Sequence, residues 1–358
     1  MVALLPAALV CVLAYWSALH YRAEMGFADN VLNGAMAALA WLGPPEYYLE
    51  YPRDASTIRG YRAAADAMTY GVMRGFTPRD EWEYLYAHCE RLEVSVAGPN
   101  GAVPVVVFKP PRAARPRPLL VFFHGGGMVV GRSEPDRQMA RLARALDAVT
   151  ATVTYRLAPE HPFPAGPLDG YAALRAIAAR ASELGADSAR VVVAGLSAGG
   201  LMTTVVAAMA AHGVDGMPRL EPPLRAQIAL QPMLRFPGGG YASYLQFAAL
   251  GSLPHLRMKW FWHMYVGASA AAKHKCLESF FCDPFLQSPQ QLARLAPLLM
   301  YTGTADVLRD EGVDYYERVR NAGVEAHHFQ CFGSHIGCTL FDDTVIGQLV
   351  KRAQLLLA

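Results

Sequence analysis

A chain of 358 residues is long enough to bury one large hydrophobic core or two modest ones. Its 53% hydrophobic and 17% charged residues exclude an intrinsically disordered chain and favour an apolar protein close to a membrane. The formal net charge is only +2 and lysine and arginine form no run, so nucleic acid is not indicated as a partner.

The first residues of the chain are nearly all apolar, and residues 2–19 carry no charge. A helix over this stretch would be about 27 Å long, close to the roughly 30 Å of a hydrocarbon core. Three interpretations stay open for residues 1–20: a membrane anchor, a signal peptide, or an apolar helix packed on the body of the protein. We favour the anchor, because a basic n-region and a clean cleavage site are missing. This predicts a membrane-associated protein of the secretory pathway or endoplasmic reticulum, with the cytoplasm as the alternative.

The six cysteines give no metal signature. None forms a C-x-x-C motif, and no cysteine and histidine set has the spacing of a zinc site. Six cysteines allow fifteen complete disulfide pairings, among which sequence alone cannot choose. The positions are Cys11, Cys89, Cys276, Cys282, Cys331 and Cys338.

The remaining chain predicts one α/β domain preceded by a helical region. Residues 21–90 read as mixed helices, and residues 91–111 read as a hairpin around a Pro-Asn-Gly turn. From there to residue 358, apolar strands alternate with helices, for example a helix over 168–184, which indicates a parallel sheet covered on both faces. An aromatic, Met-rich stretch at about 236–280 interrupts this pattern and predicts a helical insertion.

The stretch VVVAGLSAGG (residues 191–200) places a serine between a buried strand and an apolar helix. Gly195 and Gly199 allow the strand and the helix to approach closely, and the pattern G-x-S-x-G is that of a nucleophile elbow. A glycine-rich turn with an incidental serine is the alternative. If the elbow is real, Ser197 is the candidate nucleophile.

Two further strand ends carry groups that could activate this serine. His335 lies in a glycine-flanked loop after a late strand, and Asp306 directly follows the strand LLMYTG. Reactive groups gather at the carboxyl ends of strands in such sheets, and the order Ser, Asp, His is that of α/β-hydrolases. Asp310 is the competing acid, although it reads as the start of the next helix. The strand histidines His327 and His328 are interpreted as ordinary strand residues.

The motif HGGG (residues 124–127) follows the buried strand LLVFF and can supply oxyanion donors. Three glycines let consecutive backbone N–H groups face inward, and Ala198 after the serine offers another. A phosphate loop is the alternative, but the lysine that such a loop requires is missing. His124 is interpreted as a residue that shapes the loop rather than as a second base.

These motifs together resemble the hormone-sensitive-lipase-like branch of the α/β-hydrolases, which includes the arylacetamide deacetylase group. They are HGGG, YRLAPEHPFPA (residues 155–165), GLSAGG, ADVLRDEG and the late His335, and the likeness covers roughly residues 90–340. The resemblance implies an α/β-hydrolase fold with a mostly parallel central sheet, helices on both faces and a helical cap. Residues 21–90 and the insertion at about 236–280 would form that cap on a catalytic domain spanning 91–358.

The resemblance also implies a role for each motif residue. The residues implied for catalysis are the nucleophile Ser197, the base His335 and its partner Asp306. Those implied for the oxyanion hole are Gly126, Gly127 and Ala198, with Gly125 shaping the loop. The proline-rich segment, including Glu160 and His161, is implied to be scaffold. The chain departs from the usual GDSAGG elbow at Leu196, which cannot accept a hydrogen bond, and from the usual phenylalanine at Ile336.

The sequence therefore predicts a serine carboxylic ester hydrolase acting on small apolar esters with short to medium acyl groups. Two alternatives stay open: an amidase or deacetylase of the same mechanism, and a non-catalytic small-molecule binder on the same scaffold. The histidine retained at position 335 favours the enzyme over the binder. No metal, nucleotide or flavin cofactor is implied, and the oligomeric state stays open.

Overall fold

The structure is a computed structural model, and it describes most of the chain beyond residue 88. The described residues are 58–60, 62–63, 89–111, 115–131, 136–214, 216–236, 240–248, 253–335 and 351–353. The predicted membrane segment and most of the predicted helical region over 21–90 lie outside these ranges. Within the described part of the chain, no helix combines enough length with enough apolar character to cross a bilayer.

An eight-stranded sheet forms the centre of the fold, with the strand order β1-β2-β4-β3-β5-β6-β7-β8. Strand β2 pairs antiparallel with both β1 and β4, and all other neighbours run parallel. The mostly parallel α/β sheet predicted from the sequence is therefore confirmed. The strands are β1 (Glu90–Gly98), β2 (Gly101–Lys109), β3 (Arg117–Phe123), β4 (Val149–Val153), β5 (Ala186–Leu196), β6 (Ala226–Leu230), β7 (Leu298–Ala305) and β8 (Ala326–Ser334).

The helices cover both faces of this sheet. They are α1 (Asp136–Ala145), α2 (Ala165–Ala179), α3 (Ala198–His212), α4 (Ala242–Gln246), α5 (His255–Val266), α6 (Ala270–Leu277), a 3₁₀ turn (Pro284–Leu286), α7 (Pro289–Leu292) and α8 (Arg309–Asn321). Side chains of α1 lie in one core cluster, while those of α2, α3 and α8 lie in the other.

The central strands are apolar on both sides because both sides are covered. In β3, Leu119 and Val121 belong to one core cluster and Leu120 and Phe122 to the other. This is the continuous hydrophobic run expected of a buried parallel strand, in which successive side chains alternate between faces.

The predicted hairpin at the start of the domain is present. Gly98 pairs with Gly101, so that Pro99 and Asn100 form the two-residue turn between β1 and β2.

The helix predicted over 168–184 differs from the observed helix α2 at both ends. It begins at Ala165, since Pro167 is tolerated in a first turn, and it ends at Ala179. Tighter i→i+3 hydrogen bonds follow, for example from Arg180 N–H to the Ile177 carbonyl.

The predicted insertion contains the helices α4, α5 and α6, between β6 and β7. Helix α5 carries the sequence HLRMKWFWHMYV, and most of its aromatic side chains are buried. A disulfide between Cys276 and Cys282 joins the end of α6 to the chain that returns towards β7. The Ser243 hydroxyl of α4 donates to the Val307 carbonyl at 2.7 Å, which attaches α4 to the segment leading into α8.

Candidate active site

Ser197 stands at the sharp turn between β5 and α3. Its backbone has φ 59° and ψ −117°, a conformation that a non-glycine residue rarely adopts. A Cβ at Gly199 would lie 1.9 Å from the Phe123 carbonyl oxygen, and one at Gly195 would lie 2.2 Å from the Gly199 carbonyl oxygen. Both flanking glycines are therefore required by contact, as expected of a nucleophile elbow.

The structure brings Ser197, His335 and Asp306 into one line of hydrogen bonds. Ser197 Oγ lies 2.9 Å from His335 Nε2, and His335 Nδ1 lies 2.8 Å from Asp306 Oδ2. A carboxylate only accepts, so Nδ1 carries the proton and Nε2 is left to accept from the serine hydroxyl. All three residues are buried. The competing acid Asp310 instead accepts from the Ser243 N–H and pairs with Arg309.

Two further donors hold Asp306. The backbone N–H of Leu308 donates to Oδ1 at 3.0 Å, and the side-chain amide of Gln231 donates to Oδ2 at 3.2 Å. The same amide donates to the Ser334 carbonyl at 3.0 Å. Sequence reasoning missed Gln231. The only signal was a polar residue directly after the apolar strand β6, which by itself indicates no partner.

The glycine loop after β3 lies against the elbow. A Cβ at Gly125 would lie 3.4 Å from the Ser197 Cβ. Gly126 and Gly127 have φ values of 114° and 62°, and the Gly126 carbonyl accepts from the N–H groups of Val129 and Val130. Ala198 begins α3 and is fully buried beside the serine. The structure thus places Gly125 and Ala198 directly beside Ser197, with Gly126 and Gly127 in the turn that follows Gly125.

Known proteins resemble this chain in sequence and in fold. The profile of the family described as the alpha/beta hydrolase fold matches residues 120–339. The chain belongs to this family. Carboxylesterase NlhH from Mycobacterium tuberculosis is 35% identical to this hydrolase over 241 residues, covering 65% of the chain and 71% of that protein. Mouse arylacetamide deacetylase-like 3 is 34% identical over 148 residues, covering 41% of the chain and 35% of that protein.

Solved structures of esterases resemble the hydrolase over most of its length. A thermostable esterase from Pseudomonas putida has a TM-score of 0.69 at 31% identity, covering 82% of the chain and 88% of that esterase. A bacterial heroin esterase has a TM-score of 0.72 at 27% identity, covering 88% of the chain and 96% of that enzyme. The resemblance to the hormone-sensitive-lipase-like branch is confirmed.

His124 of the hydrolase shapes the glycine loop from within the core. Its Nδ1 donates to the Gly125 carbonyl at 2.7 Å, and its ring stacks on Tyr155 with centroids 4.3 Å apart. The Tyr155 hydroxyl donates to the His124 carbonyl at 2.7 Å. Burial lowers the pKa of His124 to about 4, so the imidazole is neutral near pH 7. A neutral, buried ring that stacks on Tyr155 and donates to the loop backbone fits a structural role.

Leu196 of the hydrolase directly precedes Ser197 at the strand-to-helix turn. It pairs with Leu230 across β5 and β6, and its partly buried side chain packs against the core cluster that includes α1. Packing therefore replaces a polar contact here, since an alkyl side chain cannot accept a hydrogen bond. The elbow is tied by backbone instead, because the Ser197 N–H donates to the Leu230 carbonyl at 2.8 Å.

Proposed function

We propose that this α/β hydrolase cleaves carboxylic esters through an acyl-serine intermediate, with Ser197 as nucleophile, His335 as general base and Asp306 as its orienting acid. The observation that carries the proposal is the unbroken hydrogen-bond line from the Ser197 hydroxyl through the imidazole to the buried carboxylate. That line supplies both the base that a serine needs and the group that fixes its tautomer. The relatives named as esterases support the same reaction class.

Each half of the reaction uses the same proton path. Ser197 Oγ attacks the ester carbonyl while His335 Nε2 takes its proton, and the carbonyl π electrons move to oxygen. Collapse breaks the bond to the alcohol, which receives the proton from Nε2 and leaves the acyl-serine. Water then attacks the acyl carbon and gives its proton to Nε2. The bond to Oγ breaks as the proton returns to Ser197, releasing the acid.

The oxyanion formed in both steps needs donors in place beforehand. We assign this role to the backbone N–H groups of Gly126, Gly127 and Ala198. The support is the contact of Gly125 with Ser197 and the positive φ values of Gly126 and Gly127, which glycine adopts without steric cost. Losing one such donor typically lowers kcat by about 100- to 1000-fold.

The helices between β6 and β7 are proposed to be a cap that selects apolar substrates. A Cβ at Gly127 would lie 2.1 Å from the Phe261 ring, so an aromatic side chain of α5 lies directly against the proposed oxyanion loop. An apolar wall at this place favours esters with short to medium apolar acyl groups. A relative from Pseudomonas putida, 31% identical over 229 residues, is named ethyl acetate hydrolase.

The test is a series of p-nitrophenyl esters of increasing acyl length, with labelling by a fluorophosphonate. We expect the wild type to react with the probe and to prefer short to medium chains. Ser197→Ala should abolish both signals, whereas Ser182→Ala, at an exposed serine, should change neither. Folded wild-type protein that stays unlabelled would favour a binding protein, and turnover of aryl amides above esters would favour the deacetylase alternative.

We also propose that residues 2–19 anchor the hydrolase to a membrane, on the basis of their uncharged apolar sequence. The full chain should stay in the membrane pellet after a carbonate wash. A variant lacking residues 1–20 should be released into the supernatant. Release of the full chain under the same conditions would contradict the anchor.

A further inference from the structure

Arg62 joins the N-terminal part of the chain to the segments that surround the proposed oxyanion hole. Its Nε donates to the Val129 carbonyl at 2.6 Å, and its Nη2 donates to the Ala158 carbonyl at 2.5 Å. The same guanidinium forms a two-pronged ion pair with Glu160, at 2.7 Å from Nη1 and 2.6 Å from Nη2. One side chain therefore makes four hydrogen bonds, to partners 67 to 98 residues further along the chain.

Val129 belongs to the turn that sets the conformation of the glycine loop. The N–H groups of Val129 and Val130 both donate to the Gly126 carbonyl, at 3.0 and 2.9 Å. The Ala158 N–H donates to the Met128 carbonyl at 2.9 Å, in the same turn. Arg62 thus donates to the Val129 carbonyl in the turn that begins at Gly126. It also donates to the Ala158 carbonyl in the neighbouring segment, which is hydrogen-bonded to this turn.

The position of Arg62 is itself fixed. Ile58, four residues earlier in the chain, is fully buried in the core cluster that also contains side chains of α2, α3 and α8. The Glu160 carboxylate keeps the guanidinium oriented, and the hydrogen bonds from Arg62 lower the pKa of that carboxylate below its usual value. The Glu160 carboxylate therefore stays charged at neutral pH.

We propose that Arg62 is a positioning residue for the oxyanion hole: by holding the Val129 and Ala158 carbonyls, it keeps the N–H groups of Gly126 and Gly127 aimed at the developing oxyanion. This rests on the proposed function, because it assigns to Arg62 a part in the same site. It also gives the N-terminal segment a role in the reaction, although that segment supplies no atom that contacts substrate.

The geometry explains why arginine is needed. A planar guanidinium can donate along several directions at once, whereas a lysine ammonium cannot span two carbonyls and both oxygens of a carboxylate from one position. Without these donors the glycine turn keeps its own backbone hydrogen bonds but loses its attachment to Arg62. A displacement of about 1 Å in such a group can lower the rate by about 100-fold. Replacing Arg62 should therefore weaken stabilisation of the transition state more than it weakens substrate binding.

The experiment compares Arg62→Met and Arg62→Lys with the matched control Arg180→Met. Arg180 also forms an ion pair with a glutamate, Glu183, but on an exposed surface and without a contact to the glycine loop. Fluorophosphonate titration counts the active sites in each preparation. The readouts are kcat and KM for a p-nitrophenyl ester, and the affinity for a trifluoromethyl ketone, whose serine adduct carries an oxyanion.

We expect Arg62→Met to lower kcat by about 10- to 100-fold with KM within about threefold of wild type. Trifluoromethyl ketone affinity should fall by the same factor as kcat/KM, and Arg62→Lys should lie between wild type and Arg62→Met. Arg180→Met should behave as wild type. A purely structural role predicts fewer active sites but unchanged kcat and ketone affinity per site, and that result overturns the proposal.

Three further results are decisive. If Arg62→Met yields no folded protein, the test rests on Arg62→Lys. We then expect this variant to lose at least fivefold in kcat and in ketone affinity. Wild-type values of both would contradict the proposal. If the wild type itself neither hydrolyses esters nor reacts with the fluorophosphonate, the proposed function fails. An active wild type with an unchanged Arg62→Met overturns the positioning role alone.

Discussion

Gln231 donates from one amide nitrogen both to Asp306 Oδ2, at 3.2 Å, and to the carbonyl of Ser334, at 3.0 Å. It therefore connects the proposed acid to the residue directly before the proposed base, His335. The backbone of Gln231 has φ 43°, and its N–H donates to the Tyr301 carbonyl of the neighbouring strand at 2.8 Å. The chain leaving β6 thus places the Gln231 amide between the carboxyl ends of β7 and β8.

Gln231→Leu should lower kcat, because the acid loses a donor and the histidine loop loses a tether. We expect kcat per active site to fall about tenfold. The unfolding free energy should fall by about 1–3 kcal/mol, because buried polar groups are left unpaired. Gln227→Leu is the matched control, since Gln227 is buried within β6, four residues before Gln231, and donates to the Ala296 carbonyl instead. It should lose stability but keep kcat. Equal kcat losses in both variants would contradict the role of Gln231.

The choice between Asp306 and Asp310 is tested by replacing each with asparagine. Asp306→Asn should lower kcat by about 1,000- to 10,000-fold, because an amide can hold the histidine in the wrong tautomer. Asp310→Asn should leave kcat within a few-fold of wild type, since that carboxylate contacts Ser243 and Arg309 rather than the imidazole. Steady-state kinetics on titrated active sites measure both, and a reversed order would reassign the acid.

The site residues predicted from sequence were those that follow strands. Ser197, Asp306 and His335 each come directly after or close after an apolar strand, and parallel strands end at one edge of a sheet. Their meeting therefore follows from the alternation of strands and helices, without knowledge of side-chain contacts. The two-residue hairpin was predictable for a similar reason, because Pro-Asn-Gly restricts the chain locally.

The supporting residues were not predictable because their partners are distant in sequence. Gln231 contacts Asp306 across 75 residues, and Arg62 contacts Glu160 across 98. Neither a lone glutamine nor a lone arginine forms a pattern with a chemical meaning. The pairing of Cys276 with Cys282 was open for the same reason, since six cysteines allow many combinations and only packing selects one.

Glu311 should make the stability of the protein fall as pH rises. Its carboxyl group is fully buried, accepting from the Leu234 N–H at 2.7 Å and lying 2.8 Å from the Tyr244 hydroxyl. Burial raises its pKa from 4.5 to about 8; hydrogen bonds from the Leu234 backbone, the Tyr244 hydroxyl and the Arg235 backbone oppose this shift, and the nearby Asp306 charge assists it. Between these values the folded protein keeps a proton that the unfolded chain has released. The unfolding free energy contributed by this group therefore decreases by up to about 1.4 kcal/mol per pH unit.

Glu311→Gln removes this proton while keeping an acceptor for the Leu234 N–H and adding a donor for Tyr244. Denaturant unfolding of wild type and variant at pH 5, 6, 7 and 8 isolates the effect, because all other titrating groups are shared. The stability of the variant relative to wild type should rise steadily over this range. Parallel stability curves would show that Glu311 is ionised in the folded protein, contrary to the expectation from its burial.

The disulfide between Cys276 and Cys282 should stabilise the return from the inserted helices to the sheet. Both cysteines are fully buried, with Cα atoms 5.2 Å apart. Closing so short a loop lowers the conformational entropy of the unfolded chain, which stabilises the folded protein by about 2 kcal/mol. Double replacement with alanine should lower the unfolding free energy by about that amount, whereas Cys89→Ala, at a buried free thiol, removes no cross-link.

Peptide mapping without reductant should show the peptide spanning Cys276 and Cys282 two mass units lighter than its reduced form. Alkylation of both thiols in the folded protein would mean that the cross-link does not form, and the double variant should then lose only the packing of two small side chains.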